Sequence, residues 1–170
     1  MDFFSVVESR RSVRKYDGQP VTPDVLDRIV QAGIDAPTGC NFQLKQYVIV
    51  DDPKLMAELR FVSKAMTGAP AAIVLLTEEK ESPYGEFWIQ DASAAMENML
   101  LAAVALGFAG CWIEGHVRPH EEKLREILKV PEYLRVWAIT PIGKAGVDPK
   151  RPPKPEFGQV THHNNFGQAR

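Results

Sequence analysis

The sequence predicts an α+β domain with roughly four strands and helices packed against them. Three observations carry that prediction. Helix punctuation and apolar residues at helical spacing recur through the first 62 residues. The run AAIVLLT at 71–77 is continuously apolar, as in a strand covered on both faces. With 170 residues, 45% hydrophobic and 25% charged, the chain is an ordinary globular one, long enough for a single real core. Strand–helix alternation from residue 46 onward also suits a doubly wound α/β fold. No G-x-G-x-x-G follows any strand, however, so a Rossmann dinucleotide site has no support.

The elements follow in order. Asp2 is placed to cap a short helix through Glu8, with Phe3, Val6 and Val7 on one face. Thr22 as N-cap, Pro23 at the first position and Asp24 in the first turn open a second helix, which Pro37 stops. The loop APTGCNFQ leads to a strand over 46–50, and Asp52-Pro53 opens a third helix. A long helix is expected from about 86 to 106. Its second half is apolar nearly all round, which suits a core or a subunit interface rather than a surface. GCWIEG at 110–115 reads as a strand, 119–128 as an amphipathic helix and 135–141 as the last strand. The proline-rich stretch from Val147 predicts an extended or disordered tail. The expected organisation is therefore one domain, 1–146, with an arm over 147–170 that belongs to it.

Composition excludes several function classes. A net charge of −2 argues against non-specific nucleic-acid binding. The longest apolar run, 99–106, falls far short of the ~20 residues of a membrane span. The start, MDFFSVVES, lacks the basic and apolar regions of a secretory signal, and the two cysteines, Cys40 and Cys111, form no disulfide framework. A cytoplasmic location is the expectation. Pro119 separates His116 from His120, and His162-His163 lies in the tail, so no metal site is expected. No Ser-His-Asp arrangement, P-loop or paired-carboxylate motif is present.

Three segments remain as carriers of chemistry. ESRRSVRKY at 8–16 gathers Arg10, Arg11, Arg14 and Lys15 around Ser12. Guanidinium groups grip a phosphate through paired hydrogen bonds and a serine adds a neutral donor, yet a basic turn at a helix end has the same composition. Thr38-Gly39-Cys40-Asn41-Phe42-Gln43 is either a ligand-contacting loop or a plain connection. Gly110-Cys111-Trp112-Ile113-Glu114-Gly115 brackets bulky apolar residues with glycines, which permits close backbone approach or simply marks a core strand and a turn.

Taken together and in order, these segments resemble the FMN-dependent nitroreductase family over about residues 3–166. RRSVRKY resembles the family's first flavin motif, APTGCNFQ its second, and the apolar helix with GFAGCWIEG its third. The chain departs from the family in Thr38-Gly39-Cys40 for a serine-rich loop, Leu44-Lys45 for Pro-Trp, and Lys144-Ala145 for Tyr-Pro. It is also short for the family, which implies a more open substrate pocket.

The resemblance implies a three-layer sandwich with a mainly antiparallel sheet, forming an intertwined homodimer with FMN at the subunit interface. It assigns Arg10 and Ser12 to the FMN phosphate, with Arg11 as their neighbour, and Arg14 to the pyrimidine edge of the ring. Pro37, Thr38, Gly39 and Asn41 would come from the second subunit, with Gln43 near the ring. Trp112, Ile113, Glu114 and Gly115 would line the opposite ring face, with the Glu114 or Gly115 backbone near N5. Lys154, or else Arg151, would close over the phosphate from the tail, which in the family packs on the partner subunit. The implied activity is reduction of nitroaromatics, quinones or related small acceptors by NADH or NADPH. No dedicated acid–base pair is needed, because FMN carries the chemistry. The alternatives are a reductive dehalogenase or flavin-modifying enzyme of the same superfamily, or a non-catalytic phosphate- or nucleotide-binding module.

Overall fold

The computed structural model describes residues 1–82 and 84–169. Asp2 caps α1 (Phe3–Ser9) by accepting from the Ser5 amide at 3.2 Å. In α2 (Pro23–Ile34) Thr22 stands at the N-cap but its hydroxyl makes no cap bond, so Pro23 and Asp24 mark the start instead. β1 (Lys45–Val50) follows, then α3 (Pro53–Leu59), where Asp52 accepts from the Lys54 and Leu55 amides at 3.0 and 2.8 Å.

β2 (Ala71–Thr77) is buried along its whole length, as its composition predicts. Ala72, Val74 and Leu76 join one core cluster, with residues of α3; Ala71, Ile73 and Leu75 join a second, with residues of α2. This two-sided burial is the basis of the three layers. A short antiparallel ladder between β3 (Glu81–Ser82) and β4 (Gly85–Glu86) leads into α4 (Trp88–Ala105). The helix α4 packs on α2 and β2 and buries Ala92, Ala95, Met96, Met99 and Ala103 completely. Leu101, Ala102 and Val104 stay half-buried on its other side.

β5 (Ala109–Gly110), α5 (Glu121–Leu128) and β6 (Arg135–Gly143) complete the domain. The sheet order is β1-β2-β6-β5 and every pairing is antiparallel, so the α+β expectation holds and the doubly wound alternative does not.

Two expectations are corrected. GCWIEG does not form a strand over 110–115. The ladder pairs Ala109 with Gly143 and Gly110 with Ile142, so Cys111 falls opposite Pro141, which has no N–H to donate. Pairing resumes in the same register only as a single bridge, Ile113 with Ile139, through two bonds of 3.0 and 2.9 Å. The tail is not wholly irregular either. It holds a one-turn helix, α6 (Phe157–Val160), closed by a capping box between Glu156 and Gln159.

Candidate active site

The segment after α1 is threaded into the sheet edge. The Val13 amide donates to the Gly110 carbonyl at 3.0 Å, the Gly146 amide to Lys15 at 2.9 Å, and the Asp17 amide to Lys144 at 3.1 Å. Val13 and Tyr16 turn inward, and the Tyr16 hydroxyl donates to the Val13 carbonyl at 2.7 Å. Ser12 and Arg14 therefore face outward from a backbone that is pinned on both sides. Gly110 is required at the crossing: a Cβ there would lie 2.6 Å from Thr140 Oγ1 and 2.9 Å from Leu100 Cδ2.

Around this segment lies a cavity of about 400 Å³ lined by Arg10, Arg11, Ser12, Arg14, Lys150, Arg151 and Lys154, with Glu8 at its edge. The tail thus returns three cations to the cluster of its own chain. Arg11 is held by the Glu8 and Arg10 carbonyls at 2.6 and 2.7 Å, and Arg14 by the Ser12 carbonyl at 3.3 Å. Arg10 is paired with Glu97 of α4 at 3.2 Å, and Arg151 with Glu8 at 3.0 Å. Six cations against two carboxylates give the cavity a net positive lining, of the kind that can hold an anion with more than one charge. Burial pushes the Cys111 thiol up, against the pull of nearby Arg14, which keeps it protonated and unsuited to nucleophilic work.

A second cavity, about 340 Å³, opens past the 110–113 segment. Its apolar walls are Trp88, Ile89, Val136 and Trp137, and Glu114, Gly115, Arg118 and the Glu79–Glu121–Arg135 network form the rest. A Cβ on Gly115 would meet nothing within 4 Å, so this face of the turn is open. Trp112 meets Trp137 edge-on at 5.7 Å, and its buried Nε1 has no partner among the described residues. Ile113 is anchored in the core behind.

Residues 37–43 line neither cavity and pack instead against the start of α4. The Gly39 amide donates to Asp91 Oδ1 of α4 at 2.8 Å, and Phe87 packs where a Gly39 Cβ would sit. Cys40 and Asn41 both take φ 54°, and Gln43 Nε2 donates to Asn41 Oδ1 at 2.8 Å and to Thr38 Oγ1 at 3.4 Å. Pro37 and Asn41 are exposed, and Thr38 and Gly39 half-buried. The structure therefore brings together Arg10, Arg11, Ser12, Arg14, Arg151 and Lys154, groups Glu114 and Gly115 in the second cavity, and leaves the 37–43 loop apart.

Sequence reasoning missed Glu97, Lys150, Trp88, Arg118 and Trp137. Glu97 carries a readable signal, since it and Asp91 are the two charged residues of α4. The others gave none, because their convergence depends on tertiary packing.

Comparison with known proteins identifies the family to which this fold belongs. A model described as the nitroreductase family matches residues 7–64 and 60–144. A relative from Archaeoglobus fulgidus named as an NADH dehydrogenase/NAD(P)H nitroreductase is 34% identical over 145 residues, 81% of this chain and 82% of its own. An NADPH-dependent oxidoreductase of Staphylococcus aureus is 28% identical, over 96% of this chain and 73% of that protein. The solved structure of an FMN-dependent nitroreductase from Clostridium difficile superposes with a TM-score of 0.82 at 29% identity. That superposition covers 96% of this chain and 99% of the other. Matched along most of its length by family, relatives and fold, the chain belongs to the nitroreductase family of oxidoreductases.

Proposed function

We propose that this protein binds FMN and uses NADH or NADPH to reduce a small acceptor such as a nitroaromatic or a quinone. The observation that carries this reading is the basic cavity of residues 10–14 and 150–154. It lies beside a second, aromatic-walled cavity along the 110–115 segment. Gly110, tied to Val13, and Glu114 are four residues apart, which spans at most about 14 Å. The donor set suits a phosphate monoester, and the cleft walled by Trp88, Ile89, Val136 and Trp137, with charged groups at its rim, suits a flat ring bearing polar edges.

In this reading Arg10 and Ser12 hold the phosphate, Arg11 braces the turn, and Lys154 and Arg151 close it from the tail. Arg14 supplies the fixed positive charge that favours the reduced, anionic ring. When bound, FMN would supply the redox chemistry between nicotinamide and acceptor, and these residues would bind and orient it. Glu114 and Gly115 form a firm wall for the ring, because Ile113 and Trp112 behind them are fixed by the Ile113–Ile139 bridge and the Trp112–Trp137 contact.

The 37–43 loop contributes Pro37, Thr38, Gly39, Asn41 and Gln43 to the site of a second copy. Two features support a homodimer. The loop is rigidly held yet serves neither cavity of its own chain. The outward faces of α1 and α2 also expose Phe3, Phe4, Val7 and Ile34.

Fluorescence titration tests the reading. The purified protein is expected to take up FMN, and Arg10→Ala to weaken it by roughly 1.5–3 kcal/mol, the range for a hydrogen bond to a charged group. A protein that binds no FMN, or an Arg10→Ala affinity equal to the parent's, overturns it.

A further inference from the structure

Three arginines converge on the basic cavity from one short segment, and they are held in different ways. Arg11 and Arg14 lean on backbone carbonyls of their own turn, at 2.6, 2.7 and 3.3 Å. Among the described residues Arg10 is the one of the three paired to an acid, and that acid comes from another element. Glu97 Oε1 lies 3.2 Å from Arg10 Nε. The two side chains are unequal in their footing. Glu97 sits in the middle of the 18-residue α4, between Met96 and Met99, both completely buried. Arg10 is the C-cap of a seven-residue helix whose Phe3, Phe4 and Val7 are exposed. Glu97 thus stands on the firmer backbone, and Arg10 at the end of a short helix.

We propose that Glu97 is a positioning residue that sets Arg10 for anion binding; this rests on the reading that Arg10 holds the FMN phosphate. The guanidinium has five donors in a rigid fork, one on Nε and two on each Nη. A carboxylate on the Nε side leaves the Nη1–Nη2 edge for a bidentate grip on phosphate oxygens. An unpaired arginine has rotamer freedom, part of which is lost on gripping a ligand. Pairing with Glu97 removes that freedom before the ligand arrives. The same negative charge also repels a phosphate. With 31% and 42% of the two side chains exposed, water screens the repulsion, while the constraint on the fork remains.

Titrations with FMN and with riboflavin, which lacks the phosphate, separate these effects. Glu97→Ala is expected to weaken FMN about three- to tenfold and leave riboflavin affinity unchanged. Glu97→Gln keeps the length and an acceptor oxygen, and is expected to restore most of the loss. In an Arg10→Ala background, Glu97→Ala is expected to have no further effect. Tighter FMN binding in both Glu97 variants means that the carboxylate competes with the phosphate, and overturns the proposal. So does an equal loss of FMN and riboflavin affinity, which marks a merely structural role. So does no change on a protein whose Arg10→Ala variant is weakened. An unweakened Arg10→Ala variant is a different result: it removes the underlying reading of the site.

Discussion

At the scale of single residues, the basic segment owes its placement to Gly110 as much as to its own arginines. The Val13–Gly110 hydrogen bond threads the segment into the sheet edge, and at Gly110 the packing of β6 and α4 leaves no room for a side chain. Gly110→Ala would bring a methyl to 2.6 Å from a buried threonine hydroxyl and 3.2 Å from the Pro141 carbonyl. Overpacking of this kind costs about 1–3 kcal/mol, and relief by backbone shift would move Ser12 and Val13 with it. The variant is expected to lose that much stability in denaturant melts and to bind FMN more weakly. A full-stability variant would show that the edge yields more easily than its contacts indicate. This constraint was not legible in the sequence, where Gly110 reads equally well as the first residue of an ordinary core strand. The arginines were legible as a cluster, but charge alone did not separate an anion site from a basic helix end. The return of Lys150, Arg151 and Lys154 to the same cavity is what separates them.

At the scale of elements, α5 is fastened to β6 by one carboxylate. Glu121 accepts from Arg135 Nε at 2.8 Å, from Arg135 Nη2 at 2.7 Å and from the Val136 amide at 3.0 Å; Arg125 lies 3.7 Å away. Burial pushes the Glu121 carboxyl up, but the Arg135 and Val136 hydrogen bonds outweigh it and hold the group below its ordinary value of 4.5. A folded-state pKa below the unfolded one stabilises the protein above the unfolded value. That contribution is lost as pH falls through the folded value. Glu121→Ala is therefore expected to cost roughly 1.5–3 kcal/mol near neutrality. The gap between variant and parent should stay flat down to about pH 5 and close below 4.5. A gap that stays constant into strong acid would mean that the carboxylate charge plays no part. The elements themselves were largely readable, because α2, α3 and α4 carry strong punctuation or periodicity and β2 a continuous apolar run. GCWIEG failed because its ladder depends on a proline in a distant strand, which no local pattern reveals. The missed α6 had a signal in Glu156-x-x-Gln159, masked by the prolines before it.

At the scale of the whole molecule, the three motif segments occupy three places, and two of them adjoin. Neither sequence nor a single chain brings the 37–43 loop to the other two, so a second copy is the missing step in the proposed site. The same step accounts for apolar surface at both ends of the chain. Phe157, Val160 and Phe166 are 73%, 59% and 92% exposed, a poor arrangement for an isolated tail. If the arm lies across a partner, each copy covers these side chains, at about 1.5–3 kcal/mol for each one fully buried. Light scattering is then expected to give a particle of twice the 19.0 kDa chain mass at micromolar concentration. A chain ending at Pro155 keeps Lys150, Arg151 and Lys154 but loses the apolar arm. It is expected to dissociate at more than tenfold higher concentration, and to lose FMN affinity as it does so, because monomers would lack the partner's loop. Loss of FMN that tracks dissociation on dilution ties the cofactor to the interface. A monomeric full-length chain with undiminished FMN affinity would assign the complete site to one subunit and leave the 37–43 loop a structural connection.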